Sequence, residues 1–345
     1  MDQSENKLFL EHLKKVSPGT ALRTVIDDLL RAGLGALIVF DSPGLNEVIE
    51  GGFKVNCKFS SQKLFELCKM DGAIVISPDL KKILYCNVLL APSNEIETNE
   101  TGTRHKAAER TAKHANTFVV AVSERKRKTT LYYSDVRHYL KDSQELLRET
   151  ISNIQILEKQ REIFDELLNK LDILETSCLV SVKEVCKFLQ RIEIILKISD
   201  TIKRYFTELG KEGNIMSLRY KELMRGIEKA ENGVIRDYST LSLKKSKKIL
   251  LGLSYDDLLD IENIARIIFG KALEDNISPR GFRFLSYLDL DERESSQIVN
   301  KFQNMDNLFN ATADDFEKAM KNRGVDLKRE VDNLRNQILS SKAVY

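Results

Sequence analysis

Between Glu100 and Arg110 the chain reads Glu-Thr-Gly-Thr-Arg-His-Lys-Ala-Ala-Glu-Arg, where a flexible turn meets a helix that opens on basic side chains. Thr103 reads as the N-cap, with Ala107 and Ala108 as the helix formers behind it. The first turn of a helix already carries roughly half a positive charge from its aligned peptide dipoles, so a cation at Arg104, His105 or Lys106 opposes that field by ~0.3–1 kcal/mol. The cost is offset if an anion sits on the helix start. Gly102 lets backbone N–H groups turn toward such an anion, and amides, Arg and Lys together make a cradle for polyphosphate. The plainer alternative is a capped surface helix with stray basic residues.

A phosphate cradle needs a partner to do chemistry, and Asp71-Gly72 supplies a candidate. An acidic residue at the start of a strand, followed by a residue with no side chain, can hold a hard cation that also bridges phosphate oxygens. Taken alone, Asp-Gly, the commonest turn dipeptide, reads better as a structural turn. There is no G-x-x-x-x-G-K-[ST] and no G-x-G-x-x-G, so neither a P-loop nor a dinucleotide fold is supported. The four histidines stand beside no Ser or Cys in a recognisable triad.

The elements that must position these residues come from the chain as a whole. At 345 residues it is long enough for two or three domains, and with 54 Lys+Arg against 52 Asp+Glu any basic surface must be local. Five cysteines without a C-x-x-C pair argue against a disulfide framework and a zinc site. The first residues lack a signal pattern and no stretch approaches ~18 apolar residues, so the expected location is cytoplasmic, with no membrane partner.

Helical spacing over Leu8–Val16 and Leu22–Leu30, separated by Ser17-Pro-Gly-Thr20, predicts two helices, and Ala36–Phe40 predicts a buried strand. Leu64, Phe65 and Leu67 mark a short helix. Met70–Ile76 reads as a tight turn into a strand that Ser77-Pro-Asp79 folds back into Lys82–Cys86. Phe118–Val122 and Thr129–Tyr133 are strands around Arg125-Lys-Arg-Lys128, most simply a solvated hairpin turn that can also reach the same phosphates. From Asp142 to about Ala272 Pro is absent and apolar residues recur at three and four, predicting a long helix over Leu146–Leu171 and others over Val182–Tyr205 and Met216–Ile227. Lys244-Lys-Ser-Lys-Lys248 reads as a solvated patch. The last 65 residues read as short helices with loops at Asn304-Met-Asp306 and Asn322-Arg-Gly-Val-Asp326.

Asp71-Gly-Ala73 followed about 30 residues later by Gly102-Thr-Arg-His105 resembles the diadenylate cyclase domain. Ser17-Pro-Gly-Thr20, Gly35-Ala-Leu-Ile38, Gly51-Gly-Phe53, Lys69–Val75 and Pro279-Arg-Gly-Phe282 extend the resemblance to the DNA integrity scanning family. The resemblance implies an α/β catalytic domain with a central mixed β-sheet flanked by helices (1–141), an all-α spine (142–278) and a C-terminal helix-hairpin-helix-like domain (279–345). It implies a homo-octamer in which facing subunits condense two ATP into cyclic di-AMP and two pyrophosphates, using Mg2+ or Mn2+. Asp71 would bind the metal, and Asp71, Arg104 and His105 would be catalytic. Gly72, Leu90, Thr103, Arg104, His105, Lys106, Ala107 and Ser123 would bind ATP. Lys106 replaces the family's second Arg and loses its planar fork, and Glu124 stands where the family tends to be basic.

The resemblance also implies that the tail binds branched DNA such as Holliday junctions. A helix-hairpin-helix presents the N–H groups of a Gly-apolar-Gly turn to the DNA backbone, and here the turn reads Gly324-Val325-Asp326. Residues 281–345 carry ten Lys/Arg against eleven Asp/Glu, poor material for the charge term that dominates DNA affinity. Arg323, Lys328 and Arg329 cluster at the hairpin with Gly324. The alternative function is a DNA-junction-binding scaffold whose nucleotide site only senses ATP.

Overall fold

The computed structural model describes residues 3–320 and 323–340. The chain forms two compact units. One takes in the chain up to Ile151 with Lys203–Ser217, and the other takes Ser152–Ile202 and the chain from Leu218 onward.

In the first unit helices α1 (Gln3–Lys15) and α2 (Ala21–Ala32) precede strand β1 (Ala36–Phe40). Strands β2 (Ile49–Glu50) and β3 (Phe53–Lys58), helix α3 (Ser61–Leu67) and strands β4 (Ala73–Ile76) and β5 (Lys82–Leu90) follow. Helix α4 (Thr103–His114) leads into β6 (Phe118–Ser123), β7 (Lys128–Tyr133) and β8 (Val136–Leu140). The strands make one 8-stranded sheet in the order β2-β5-β4-β1-β6-β7-β8, with β3 also on β5. β1 and β4 run parallel and the other pairs antiparallel, so the sheet is mixed.

Both faces of the central strands are covered. Ile38, Phe40, Ile74 and Ile76 pack with Val25, Ile26 and Leu29 of α2 and Leu64 of α3 on one side. On the other, Leu37, Val39 and Val75 pack with Ala108 and Ala112 of α4. A strand buried on both faces has no polar alternation, hence the unbroken apolar runs of β1, β4 and β6. The Ser17–Thr20 break is built as expected: the Thr20 hydroxyl accepts from the Arg23 amide (3.2 Å) and caps α2, and Gly33 ends it in the left-handed region.

The second unit is helical. Its long helices are α5 (Ser143–Thr176) from Ser152 on and α6 (Val182–Leu209) as far as Ile202, followed by α7 (Asn214–Leu223) from Leu218 on, α8 (Ile227–Tyr238), α9 (Leu243–Gly252), α10 (Tyr255–Leu259) and α11 (Ile261–Ile264). The continuous helix expected over 216–227 is broken, because Gly226 takes φ +82° between α7 and α8. The lysine patch lies on α9, where Ser246 is buried and Lys247 pairs with Glu231 at 2.8 Å.

Helices α12 (Phe282–Leu285), α13 (Glu292–Phe302), α14 (Met305–Asn310), α15 (Ala313–Met320) and α16 (Gly324–Leu339) complete the unit around Phe284, Phe302, Phe316 and Leu327. Arg283 is buried and held by Glu175 (3.0 Å) and Asp172, while the Asp237 carboxylate accepts from the amides of Gly281, Phe282 and Arg283. Breaking such a buried, fully bonded set by removing one partner costs ~3–5 kcal/mol.

Two expectations are corrected here. Asn304 is a cap rather than loop, its side chain accepting from the Asn307 amide at 2.8 Å to start α14. Gly324-Val325-Asp326 is the first turn of α16. Asn322, expected in the same loop, lies outside the described residues.

Candidate active site at the edge of the sheet

Strand register gathers residues that are far apart in sequence. Ile38 of β1 pairs with Ile74 of β4 in parallel, so the residues that lead into the two strands, Gly35 and the Asp71-Gly72 turn, lie at the same end of the sheet. On the other flank of β1, Ala36 pairs with Val122, which brings Ser123 to the same end. β5 runs antiparallel to β4 with Ala73 opposite Val88, so Leu90 also finishes there. Asp71, Leu90 and Ser123 therefore share one sheet edge.

Helix α4 adds the basic groups. Its N-cap is Gly102, not Thr103, which is the first helical residue. The reason is visible in the bonding: the first helical hydrogen bond runs from the Lys106 amide to the Gly102 carbonyl (2.9 Å). The amides of Thr103, Arg104 and His105 are left without helical acceptors. No acidic residue sits in this first turn, and Thr103, Arg104 and Lys106 are exposed. Ala107 and Leu90 both pack into the cluster between α4 and the sheet.

The later turns of α4 hold the preceding loop. Arg110 donates to the carbonyls of Ile96 (2.8 Å) and Asn94 (3.1 Å), Lys113 donates to the carbonyl of Glu97 (3.2 Å), and the Thr98 hydroxyl donates to Glu109 (2.5 Å). This fastening delivers Glu100 to the sheet.

Two glycines make room. Gly72 has φ +87°, and a β-carbon there would stand 2.9 Å from the backbone of Asn87 and Val88. Asn87 in turn donates to the Asp71 carbonyl at 2.9 Å. The Asp-Gly pair is thus a structural turn that leaves the Asp71 side chain exposed. At Gly35 a β-carbon would overlap the Arg104 guanidinium, so the Arg104 side chain lies against the start of β1.

Sequence reasoning missed a chain of hydrogen bonds behind His105. The Tyr132 hydroxyl donates to Glu100 at 2.7 Å and lies 3.0 Å from His105 Nδ1, and Arg137 pairs with the same Glu100 oxygen at 2.8 Å. Tyr132 and Glu100 are buried. Burial holds the His105 pKa below its usual value; Glu100 pulls it up, while Lys126, Arg104 and Arg137 push it down. Burial and the Glu100 carboxylate push the Tyr132 phenol up. The signal available in the sequence was strand alternation, which puts Tyr132 on the α4 side of β7 while Leu131 and Tyr133 face the other core.

A cavity of about 160 Å³ adjoins His105 and is lined by Ser123, Lys126, Lys128 and Arg137 among others. Two lysines of the tetrabasic turn therefore face the site, and Glu124 is exposed in the same turn. A larger cavity of about 360 Å³ lies in the helical unit between Phe164, Leu168, Arg225, Lys229 and Tyr287. It contains none of the motif residues, and chemistry rather than size places the candidate site at the sheet edge. Among the described residues no three His, Cys, Asp or Glu side chains gather as a metal cage, and no helix is long and apolar enough to cross a membrane.

The tail residues are differently placed. Gly324 packs so closely on α15 that a β-carbon would overlap the backbone of Phe316 and Glu317. Lys328 is largely buried, donating to the Phe309 carbonyl (3.0 Å) and Asp332 (2.9 Å). Arg323 donates to the Asp289 carbonyl at 3.0 Å, while Arg329 is 76% exposed with Asp326 at 3.9 Å.

Residues 23–136 match the family described as DisA bacterial checkpoint controller nucleotide-binding, and residues 140–274 match the DisA bacterial checkpoint controller linker region. The DNA integrity scanning protein DisA of Acetivibrio thermocellus is 38% identical over 326 residues, covering 92% of this chain and 91% of that protein. Its counterpart in Carboxydothermus hydrogenoformans is 39% identical over 338 residues, covering 94% and 96%. A solved structure of DacA from Staphylococcus aureus is 25% identical, covers 38% of this chain and 88% of that one, and superposes with a TM-score of 0.32.

Proposed function

This chain belongs to the DNA integrity scanning protein family, and on that premise we propose that it is a diadenylate cyclase condensing two ATP into cyclic di-AMP and two pyrophosphates. The observation that supports this reading is that Asp71 and Ser123 lie at the same end of the central strands, where Arg104 from the basic, acid-free start of α4 lies against Gly35.

Each reaction step forms a bond between a ribose 3′-oxygen and the other nucleotide's α-phosphorus, breaks the bond to pyrophosphate and releases the hydroxyl proton. Transfer of this kind is mainly positioning and charge neutralisation. Arg104, Lys106 and the free amides of Thr103 to His105 bind the phosphates and stabilise the charge that builds on the leaving pyrophosphate. Ser123, Lys126 and Lys128 extend the cradle across the β6–β7 turn. Gly72, Leu90 and Ala107 border the nucleoside. Lys106 acts as a point charge, without the bidentate geometry of an arginine.

A divalent cation, Mg2+ or Mn2+, supplies further neutralisation to the phosphates when bound. The residues fit an ion shared with substrate: Asp71 offers one exposed carboxylate, and such ions are commonly held by one or two carboxylates plus substrate phosphates.

One chain offers one Asp71 and one α4 start, whereas in-line attack by both hydroxyls needs two nucleotides facing in opposite senses. The working unit is therefore a pair of facing subunits, within the homo-octamer that the family resemblance implies. The tail carries the sensing of branched DNA such as Holliday junctions, with Arg329 as its foremost phosphate contact and Arg323, already held by Asp289, Glu294 and Glu330, behind it. Lys328 is a weaker candidate, because its ammonium is already bonded within the unit. Incubation with ATP and Mg2+ or Mn2+ and mass analysis of the products tests the reading. Cyclic di-AMP is expected, and ATP binding without product would favour a scaffold that only senses the nucleotide.

A further inference from the structure

The Tyr132 hydroxyl has one proton and three neighbours, Glu100, His105 and the Thr130 side chain, whose hydroxyl can give its own proton to the phenol oxygen. Glu100 lies 2.7 Å away and shares its nearer oxygen with the Arg137 guanidinium at 2.8 Å. A carboxylate paired with a guanidinium is ionised and can only accept, so the phenol proton goes to Glu100. The phenol oxygen then has only lone pairs to offer His105 Nδ1, 3.0 Å away, and Nδ1 must carry the hydrogen. A neutral imidazole protonated on Nδ1 has its lone pair on Nε2. Nε2 is buried and no group among the described residues bonds to it, the adjoining Cδ2 edge faces Gly102 at the start of α4, and the ring lines the small cavity beside Ser123 and Lys126.

We infer that Glu100 and Tyr132 are positioning residues that hold His105 in its Nδ1–H form, so that Nε2 accepts a hydrogen bond from a hydroxyl of the bound nucleotide instead of donating one to phosphate. This rests on the cyclase reading for the identity of the hydroxyl, but the proton position stands on the hydrogen bonds alone. The charged groups facing the ring, Arg104, Lys126 and Arg137 against Glu100, work in the same sense, since a second proton on His105 would meet three cations and one anion. Their presence explains how a histidine set among phosphate-binding cations stays a neutral acceptor.

Nitrogen-15 solid-state NMR of the full-length protein, labelled only at its four histidines and with His105→Asn to identify the signal, reads the proton position directly. At pH 7.5 and without nucleotide, His105 is expected protonated on Nδ1 and bare on Nε2, and Tyr132→Phe is expected to move it to the Nε2–H form or a mixture. An imidazolium or an Nε2–H ring in the wild type would overturn the inference, as would an unchanged Nδ1–H ring in Tyr132→Phe. In turnover, Tyr132→Phe and Glu100→Gln should each lower kcat by roughly 10- to 100-fold, with KM for ATP little changed. Wild-type kcat in both folded variants would also overturn it. A wild-type protein that binds ATP and makes no product, with the expected NMR signal, would defeat the cyclase reading and leave the tautomer assignment standing.

Discussion

The Arg104 guanidinium occupies the volume that a β-carbon on residue 35 would need, so Gly35 and Arg104 fit together only because one of them has no side chain. Gly35 shows no positive φ, so alanine is compatible with its backbone, and the atoms it would displace are the far end of a flexible side chain. Gly35→Ala should therefore fold and assemble like the wild type while losing the Arg104 position. We expect cyclase activity to fall roughly 10- to 100-fold, the scale on which misplaced binding groups act. Thermal melting alongside the rate checks it, and wild-type turnover would show that Arg104 is not needed where it lies.

Asp71 is exposed on a turn already secured through its own carbonyl and Gly72, so its side chain is dispensable for the fold. Asp71→Asn should abolish cyclic di-AMP formation with melting temperature and assembly size unchanged. Full turnover in that variant would remove the carboxylate from the mechanism.

If each active site is shared by two subunits, activity per subunit should collapse on dilution below the dissociation constant of the assembly. Light scattering at each concentration supplies the comparison. Constant specific activity from a demonstrated monomer would rule out the facing arrangement.

His12 of α1 stacks on Phe118 with ring centroids 4.9 Å apart, and its Nδ1 is buried without a hydrogen-bond partner among the described residues. Burial, helped by Lys15, lowers its pKa from 6.5 to about 4. Between these values the unfolded chain takes a proton that the folded chain refuses. Its contribution to stability is thus fully present above about pH 6.5 and is lost as pH falls toward 4. Allowing for its partial exposure, the loss is on the order of 1–2 kcal/mol. Urea unfolding of wild type and His12→Phe across this window should show the wild type losing more stability than the variant. Parallel profiles would mean that His12 titrates normally.

The parts of this molecule that could be read in advance are those where one physical pressure acts on consecutive residues. β1, β4 and β6 are buried on both faces and so appear as apolar runs, and the α4 start stands out because its charge opposes its own dipole. β3 stayed hidden because it is largely exposed, carries a register shift between Lys54 and Cys57, and holds Asn56 at φ +38°. The His105 support was invisible for another reason. Tyr132 lies 27 residues from His105 and 32 from Glu100, and only the placement of β7 under α4 joins them. Likewise Asp71 and Ser123 come to the same end of the sheet only through the pairing of β1 with β4 and with β6, which no local pattern announces.

The tail gives the last prediction, because its charged residues differ in how much they are already engaged. Arg329 is 76% exposed and its nearest carboxylate, Asp326, is 3.9 Å away, so it is available to a phosphate, whereas Lys328 holds Phe309 and Asp332. Arg329→Ala should weaken binding to a labelled four-way junction equally for all sequences, since phosphate contacts carry no base information, and should flatten log K against log[salt] by about 0.9. Asp326→Asn should strengthen binding by removing a negative charge from the first turn of α16, at a stability cost of ~0.3–1 kcal/mol from the helix dipole. Lys328→Ala should lower the melting temperature first, because it leaves a carbonyl and a carboxylate without their donor. If titrations show Lys328→Ala losing junction affinity at unchanged melting temperature while Arg329→Ala binds as wild type, the lysine is the phosphate contact and the assignment of the two residues must be exchanged.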